Sequence, residues 1–296
     1  MSENFTPLLQ TNDWNEEWKN LQAVRRRADN VGYWDERAKT FQNTDAPNSY
    51  SRIFLERAGV KPGETVFDMG CGTGALTIPL AKQGNPVIAA DFSPKMLEVL
   101  QGKLEELHLD CVTTKLMSWD DNWNDFGIGE ASVDVAFASR SIATGDLKKS
   151  LLKLNAVVKR RVCITIISGL SPRIHEQAMH DIGLVKAPGQ DFQYAFNILV
   201  NEGIRPEISY INSKRRTSFD SAEEAFASYA PMVDYVAPDY NETEKAAALL
   251  RLTSWIEEHL VRNEQAGKIT KDGSLQKALC LDVPRNVSWA FLTWDK

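Results

Sequence analysis

A glycine loop at residues 66–75 constrains the fold of this chain more than any other segment. It reads Val-Phe-Asp-Met-Gly-Cys-Gly-Thr-Gly-Ala, so that Asp68 precedes glycines at positions 70, 72 and 74. Glycine adopts positive φ readily and, having no Cβ, lets a ligand approach the backbone. The pattern predicts a short strand, a turn and a helix over residues 75–82. Ligands of open α/β sheets bind at this carboxyl edge of the strands.

A second acid, Asp91, ends the next apolar run, which reads Val-Ile-Ala-Ala-Asp-Phe-Ser at residues 87–93. The spacing suits a βαβ unit, in which an acid at the end of the second strand can accept both hydroxyls of a ribose. In these two segments the chain resembles the class I S-adenosylmethionine-dependent methyltransferases. Their first motif is acid-x-Gly-x-Gly-x-Gly, and their second strand ends in an acid. The resemblance implies S-adenosyl-L-methionine as cofactor and S-adenosyl-L-homocysteine as product.

A nicotinamide dinucleotide site is the main competing interpretation, because Gly70-x-Gly72-x-x-Ala75 also satisfies the relaxed dinucleotide fingerprint. Asp68 argues against it. A pyrophosphate is anionic and binds bare backbone N–H groups at a helix N-terminus, so a carboxylate just before the glycines would repel it. The same carboxylate, or the backbone beside it, can face the ammonium of a methionine tail.

The segments after the third and fourth predicted strands, residues 111–116 and 132–139, extend the predicted site. Members of the family place residues that flank the adenine after the third strand. Trp119 could stack on a ring or could be a core aromatic. The cofactor-binding set that the resemblance implies is Asp68, Gly70, Cys71, Gly72, Gly74, Asp91, Phe92, Met96, Ser118, Trp119 and Ser139.

Arg140 and Ser141 follow the fourth strand, where family members contact both cofactor and substrate, so they are candidate substrate residues. Alternatively, Arg140 pairs with a surface acid. Tyr33 and Trp34 lie in a segment that resembles the lid preceding the core of many small-molecule methyltransferases, and they are further substrate candidates. The alternative is that these aromatics pack N-terminal helices onto the sheet. The sequence assigns no catalytic residue.

Apolar strands alternate with amphipathic helices along most of the chain, which predicts an α/β fold with a doubly wound, seven-stranded, mostly parallel sheet. The resemblance implies a Rossmann-like methyltransferase fold with an antiparallel final pair of strands. We expect N-terminal helices and a helical insert to cap the sheet. The predicted parts are an N-terminal helical lid at 1–48, a cofactor-binding core at 49–216, an insert at 217–286 and the last strand at 287–296.

A formal charge of −6 argues against a protein that gains its affinity by neutralising many phosphates. Three short basic clusters, at residues 25–27, 159–161 and 214–216, qualify this argument. Such clusters are usually solvated faces, but they could form a local patch for an anionic substrate. A nucleic-acid partner is therefore disfavoured, and the sequence gives no oligomeric state.

The four cysteines and four histidines show no metal-ligand spacing, so no metal site is predicted. We expect His175 and His180 to lie at the surface or at an edge. Cys71 is interpreted as a small loop residue rather than a nucleophile. No apolar run of 18 residues exists, and the N-terminus lacks the features of a signal peptide, so we expect no membrane partner and a cytoplasmic location.

The predicted reaction is an in-line displacement, in which a nucleophile of the acceptor attacks the methyl carbon on sulfur. Positioning can supply most of the rate, so the absence of a catalytic triad is no argument against an enzyme. The signature Asn/Asp-Pro-Pro-aromatic of amide-type N-methyltransferases is absent after the fourth strand. A small-molecule acceptor is the first hypothesis. A tRNA or protein methyltransferase and a non-catalytic S-adenosylmethionine-binding regulator are the alternatives.

Overall fold

The computed structural model describes residues 13–25, 31–38, 49–169, 171–184, 191–269 and 275–296. Its strands are β1 (Val66–Met69), β2 (Val87–Asp91), β3 (Val112–Leu116), β4 (Val133–Ser139), β5 (Val158–Ile167), β6 (Glu207–Arg215), β7 (Ser218–Phe219), β8 (Leu260–Arg262), β9 (Leu279–Leu281) and β10 (Arg285–Asp295). Its helices are α1 (Trp14–Arg25), α2 (Val31–Ala38), α3 (Ser49–Ala58), α4 (Thr77–Lys82), α5 (Pro94–Glu106), α6 (Leu147–Val157), α7 (Glu176–Asp181), α8 (Asp191–Asn201), α9 (Ala222–Val236) and α10 (Glu242–His259).

Seven strands form the main sheet, in the order β3-β2-β1-β4-β5-β10-β6. The pairs among β1 to β5 are parallel, whereas β10 runs antiparallel to both β5 and β6. All four residues of β1 are buried, as are most of β4, which is typical of parallel strands covered on both faces. The predicted Rossmann-like fold, with its antiparallel final strand, is confirmed.

Helices on both faces of the sheet bury two apolar layers. Trp18 of α1 is buried on one face, together with residues of α6 and α8. On the other face, α3 places Phe54 edge-on against Phe137 and Phe291, with ring centroids 4.9 and 5.1 Å away. Edge-to-face aromatic pairs add stability beyond their buried area, so these contacts hold α3 against β4 and β10.

Residues 217–286 contain α9 and α10, and also a three-stranded antiparallel sheet in the order β7-β9-β8. The sequence analysis did not predict this small sheet, because strands of two or three residues are too short to show a period-2 pattern. A separate apolar cluster, which includes Tyr229 and Trp255, joins α7, α9 and α10. This part of the chain therefore has a core of its own beside the main sheet.

The expectation that His175 lies at the surface or at an edge is wrong. Its side chain is buried and caps the start of α7, where Nδ1 accepts from the Ala178 N–H at 3.2 Å. Nε2 then carries the proton and donates to the Val283 carbonyl, 3.1 Å away. Burial lowers the pKa of His175, so the neutral ring serves as a structural link between α7 and the start of β10.

No helix in the described ranges is both long and apolar enough to span a bilayer.

Candidate active site

The carboxyl ends of β1, β2 and β4 meet at one edge of the sheet. In the register of the parallel strands, Asp68 lies opposite Ala89 of β2 and Phe137 of β4. Asp91 and Ser139 are the last residues of their strands. Three residues that the sequence analysis assigned to one pocket are therefore brought to the same edge, although they come from three separate segments.

The three glycines of the loop have positive φ but different surroundings. A Cβ on Gly70 would overlap the side chain of Ser141, and a Cβ on Gly74 would meet the buried Leu100. Around Gly72, by contrast, there is open space within 4 Å of the position of a Cβ. Gly70 and Gly74 are thus required for packing inside the protein, whereas the described residues leave the space beside Gly72 open.

Asp91 ties the glycine loop to the end of β2. One carboxylate oxygen accepts from the Gly72 N–H and the other from the Ser93 N–H, each at 2.9 Å. Burial raises the pKa of Asp91, and these backbone donors oppose the rise. Each oxygen keeps a lone pair for a further donor, which is the capacity that a ribose diol requires.

Asp68 is fully buried and only half satisfied. Its Oδ2 accepts from the Thr77 hydroxyl at 2.8 Å, while Oδ1 has no hydrogen-bond partner among the described residues. Burial, with a smaller contribution from the charge of Asp91, raises the pKa of Asp68 to about 6. An unpaired buried carboxylate oxygen is costly, so this atom is suited to receive a cationic donor from a ligand.

Cys71 is buried within the loop, and its thiol contacts the Gly72 carbonyl at 3.6 Å. Burial and the neighbouring carboxylates of Asp68 and Asp91 raise the pKa of this thiol well above its ordinary value. A thiol in such a place stays protonated, and a protonated thiol is a poor nucleophile. The interpretation of Cys71 as a small loop residue agrees with this environment.

The loop after β3 is held by side chains that sequence reasoning did not identify. Asp121 accepts from the Ser118 N–H at 2.7 Å, and the Lys153 ammonium donates to the Trp119 carbonyl, also at 2.7 Å. Trp119 is partly buried, with its ring centroid 5.5 Å from that of Trp123. The Trp119 side chain therefore packs in part on the core.

The segment after β4 is locked by a chain of hydroxyl groups. The Tyr50 hydroxyl lies 2.7 Å from Ser139 Oγ and 2.6 Å from Thr165 Oγ1, and Thr165 Oγ1 accepts from the Arg140 N–H at 3.0 Å. Arg140 has φ of 62°, a backbone conformation that is uncommon outside glycine. Ser141 donates to the Met69 carbonyl at 2.6 Å. The loop after β4 thereby packs directly on the glycine loop.

The guanidinium of Arg140 lies over two aromatic rings, 4.4 Å from the centroid of Tyr50 and 5.9 Å from that of Trp289. Within the described residues it forms no ion pair, so the alternative that Arg140 pairs with a surface acid is not what the structure shows. The cation is exposed at the carboxyl edge of the sheet.

The N-terminal helix α2 lies beside the end of β2. Asp35 accepts from the Ser93 hydroxyl at 2.6 Å, and Ser93 Oγ in turn accepts from the Met96 N–H at 3.2 Å. Met96 is buried, whereas Phe92 and Trp34 are partly exposed. The side chain of Tyr33 lies outside the described residues. The position of α2 is compatible with the predicted lid.

Sequence reasoning also missed Tyr50, Thr77 and Asp35. Tyr50 lies in the helix α3 and was given no role in the site. Its hydroxyl reaches Ser139 and Thr165, which are 89 and 115 residues away. No local pattern marks contacts at that separation. A buried Tyr usually finds a partner for its hydroxyl, and this was the one general signal available.

A cavity of about 390 Å³ lies next to the carboxyl end of β5, on the face covered by α8. Its lining includes Ile167, Glu176, Phe192, Tyr210 and Ser288. None of the lining residues belongs to the glycine loop, so Asp68 and Asp91 lie outside this cavity. Among the described residues, no group of three His, Cys, Asp or Glu side chains is placed to hold a metal ion.

Replacing Tyr50 with Phe is expected to lower the free energy of unfolding by about 1 to 3 kcal/mol, because it leaves buried hydroxyl partners unpaired. Equilibrium unfolding in urea would measure the change. Tyr210→Phe is the matched control, since Tyr210 is 43% exposed and should lose little stability. Equal effects of the two substitutions would contradict the role of the Tyr50 hydroxyl.

Residues 66–161 match the methyltransferase domain family. An uncharacterized protein of Haemophilus influenzae is 32% identical over 221 residues, which cover 72% of this chain and 77% of that protein. The demethylmenaquinone methyltransferase of Lactobacillus johnsonii is 42% identical over 65 residues, or 21% of this chain and 27% of that enzyme.

Among solved structures, a Bacillus halodurans protein provisionally assigned as a methyltransferase superposes with a TM-score of 0.50 at 12% identity. The superposition covers 84% of this chain and 99% of that one. At this level of identity the likeness concerns the fold alone, and the fold is the seven-stranded sheet described above.

Proposed function

Because the chain belongs to the class I S-adenosylmethionine-dependent methyltransferases, we propose that it transfers a methyl group from S-adenosylmethionine to a small molecule. The observation that supports this choice of acceptor is the pairing of the protein's basic clusters with carboxylates. In two of the three basic clusters, every described cation is paired with a carboxylate of the same chain. These pairs are Arg25 with Asp191, Lys159 with Asp134, Arg160 with Glu64 and Arg161 with Asp295.

Cations that are already neutralised gain little from binding phosphates, and nucleic-acid affinity comes largely from phosphates that displace counterions. The net charge of −6 points the same way. A tRNA acceptor reached through these clusters is therefore less well supported than a small molecule. The third cluster, at residues 214–216, has a different environment, because Arg215 lies opposite a second arginine, Arg285.

The residues at the carboxyl edge fit S-adenosylmethionine group by group. The unpaired Oδ1 of Asp68 suits the ammonium of the methionine tail. Asp91 has the acceptor capacity for the ribose hydroxyls, and the open backbone at Gly72 admits the ligand between them. In this proposal Phe92, Met96, Ser118 and Trp119 surround the adenosine, and Ser139 lies nearest to the acceptor.

S-adenosylmethionine supplies an electrophilic methyl carbon on a positively charged sulfur. The protein then needs only to orient this methyl group towards the acceptor and to exclude water, which can contribute on the order of 7 to 11 kcal/mol. The hydroxyl chain of Tyr50, Ser139 and Thr165 holds the loop after β4 in place. Burial raises the pKa of Tyr50, so this phenol keeps its proton and serves in positioning.

The four cysteines are all unpaired in the structure, and three of them are buried. Unpaired thiols are typical of reducing compartments. This supports the cytoplasm as the place where the protein acts.

Cofactor affinity is expected to depend on pH through Asp68. Its pKa of about 6 lies above the ordinary 3.8, so the folded protein binds this proton more tightly than the unfolded chain does. Protonation of Asp68 therefore stabilises the fold at low pH, and this stabilisation is lost as pH rises from about 4 to 6. A bound ammonium requires the carboxylate. S-adenosylhomocysteine should therefore bind about tenfold more weakly at pH 5 than at pH 7.

Calorimetric titration with S-adenosylhomocysteine between pH 5 and pH 8 measures this dependence. Asp68→Asn keeps the size of the side chain and the contact with Thr77 but cannot titrate. This variant should bind S-adenosylhomocysteine more weakly than the unaltered chain at pH 7. Its affinity should also depend less on pH, and the remaining dependence is due to Asp91. An unchanged slope in Asp68→Asn would exclude Asp68 as the titrating group.

The proposed acceptor class is tested by following S-adenosylhomocysteine release from S-adenosylmethionine with three kinds of acceptor: a panel of small metabolites, total tRNA and unfolded protein. We expect release above background only with small molecules. The variant Gly72→Val, which should not admit the cofactor, serves as the blank. Release that depends on tRNA or on protein would reject the small-molecule proposal. Calorimetry with NAD is the control for the cofactor.

A further inference from the structure

Three arginines from distant parts of the chain meet beside the carboxyl edge of β4. Arg215, at the end of β6, lies directly opposite Arg285, at the start of β10. Since side chains of a strand alternate between faces, Arg285 shares a face with Trp289, and Arg215 shares that face with the buried Ile211. Arg140 lies over the Trp289 ring from the end of β4. All three cations thus occupy one side of the sheet.

These cations lack compensation within the protein. Within the described ranges, none of the three forms an ion pair, and Arg140 and Arg215 donate no side-chain hydrogen bond. Arg285 donates to the Arg173 carbonyl at 3.0 Å, but its Nε is buried without a partner. By contrast, Arg25, Arg160 and Arg161 are each paired with a carboxylate.

The cations also repel one another. Desolvation lowers the pKa of Arg215, and the positive charges of Arg285 and Arg140 lower it further. Desolvation likewise lowers the pKa of Arg285. Arg285 is half-buried, while Arg140 and Arg215 are exposed, and like charges held close together cost free energy unless an anion joins them. A bound anion would remove the repulsion and would supply the acceptor that the buried Nε of Arg285 lacks.

The arginine cluster lies between the cofactor edge and the insert. Arg140 directly follows Ser139, and Ser141 touches the glycine loop at Met69. On the other side, Tyr229 of α9 is close enough to Arg285 to interact with its charge. A small molecule held by the arginine cluster would therefore have the methyl donor on one side and the insert on the other.

We propose that the methyl acceptor carries a carboxylate or phosphate group and that Arg140, Arg215 and Arg285 bind this group. The inference rests on the proposed function and names the substrate class for it. Arginine suits this task because its planar guanidinium binds carboxylate and phosphate through two parallel hydrogen bonds. One compact cluster fits a single anionic group, whereas a polyanion such as RNA would need cations spread along a path.

The test uses the full chain saturated with S-adenosylhomocysteine. Inorganic phosphate and malonate are titrated at constant ionic strength, against chloride, and affinity is taken from the rise in unfolding temperature. We expect at least tenfold weaker anion binding by the double variant Arg215→Gln/Arg285→Gln. Lys214→Gln, an exposed neighbour on the same strand, should bind as the unaltered chain does. Tighter binding of phosphate or of malonate would distinguish a phosphate from a carboxylate acceptor.

Calorimetry of S-adenosylhomocysteine separates the two proposals. If the unaltered chain does not bind it, the proposed function fails. If it binds, but neither anion binds or both bind the double variant equally well, the acceptor inference alone is overturned. Arg215→Lys/Arg285→Lys keeps the charge and guards against misfolding. This lysine variant should bind the anions more weakly than the unaltered chain but more tightly than the glutamine variant. A 20-nucleotide RNA that outcompetes phosphate in an arginine-dependent manner would overturn the small-molecule inference.

Discussion

Asp91→Ala is expected to weaken the binding of S-adenosylhomocysteine by about 5- to 150-fold, which corresponds to roughly 1 to 3 kcal/mol. The substitution removes the proposed acceptor for the ribose hydroxyls. It also removes the bonds at 2.9 Å to the N–H groups of Gly72 and Ser93, so the glycine loop keeps only its backbone bonds from Gly70 and Cys71 to the Ala90 carbonyl of β2. Calorimetric titration of the folded variant measures the loss of affinity.

Asp134→Ala is the matched control for this prediction. Asp134 also accepts from a backbone N–H, that of Thr65 at 2.9 Å, but it lies near the amino end of β4, at the opposite edge of the sheet. Its replacement should leave the affinity for S-adenosylhomocysteine unchanged. Normal binding by folded Asp91→Ala, or an equal loss in both variants, would refute the assigned role of Asp91.

Gly70→Ala and Gly72→Ala are expected to fail in different ways. At Gly70 the new methyl group would overlap Ser141, so overpacking of about 1 to 3 kcal/mol adds to a left-handed strain of about 1 to 2 kcal/mol. At Gly72 nothing lies in the way, and only the strain remains. Gly70→Ala should therefore lose stability, whereas Gly72→Ala should fold and lose cofactor affinity as its Cβ enters the ligand's space.

Equilibrium unfolding and calorimetry together separate these two outcomes. Gly84→Ala is the control, because Gly84 has φ of 84° and open space around it but lies outside the loop. It should show the strain without any change in cofactor affinity. If Gly70→Ala is as stable as Gly84→Ala, or if Gly72→Ala binds S-adenosylhomocysteine normally, the division of roles within the loop is wrong.

The features of the fold that were predicted correctly rest on local sequence patterns. Apolar runs such as residues 133–139 alternate with amphipathic helices, and this order of elements predicts a parallel sheet with helices on both faces. The antiparallel pairing of the last two strands of the main sheet came only from the family resemblance, and the position of β10 between β5 and β6 was not predicted. Nothing in residues 285–295 states which strands they will join. The strands β7, β8 and β9 were missed because they are so short.

The candidate site divides in the same way. Asp68, Gly72 and Asp91 belong to two short motifs, whose chemistry can be interpreted residue by residue. The identity of the cofactor followed from the family resemblance that these motifs carry and is confirmed, whereas the role of each residue stays a prediction. The motifs could not show that Gly70 serves packing against Ser141 while Gly72 faces open space. That distinction depends on how the loop after β4 packs.

Local sequence thus carries the fold class and the cofactor, because strand periodicity, glycine φ preferences and strand-end acids act within one βαβ unit. The hydroxyl chain of Tyr50 and the convergence of Arg140, Arg215 and Arg285 arise from segments up to 145 residues apart in the chain. Such contacts exist only after the sheet has set the register of β6 against β10 and has brought α3 beneath β4. The proposed acceptor side of the site therefore depends on tertiary packing, because the long-range register of the strands decides which charges meet.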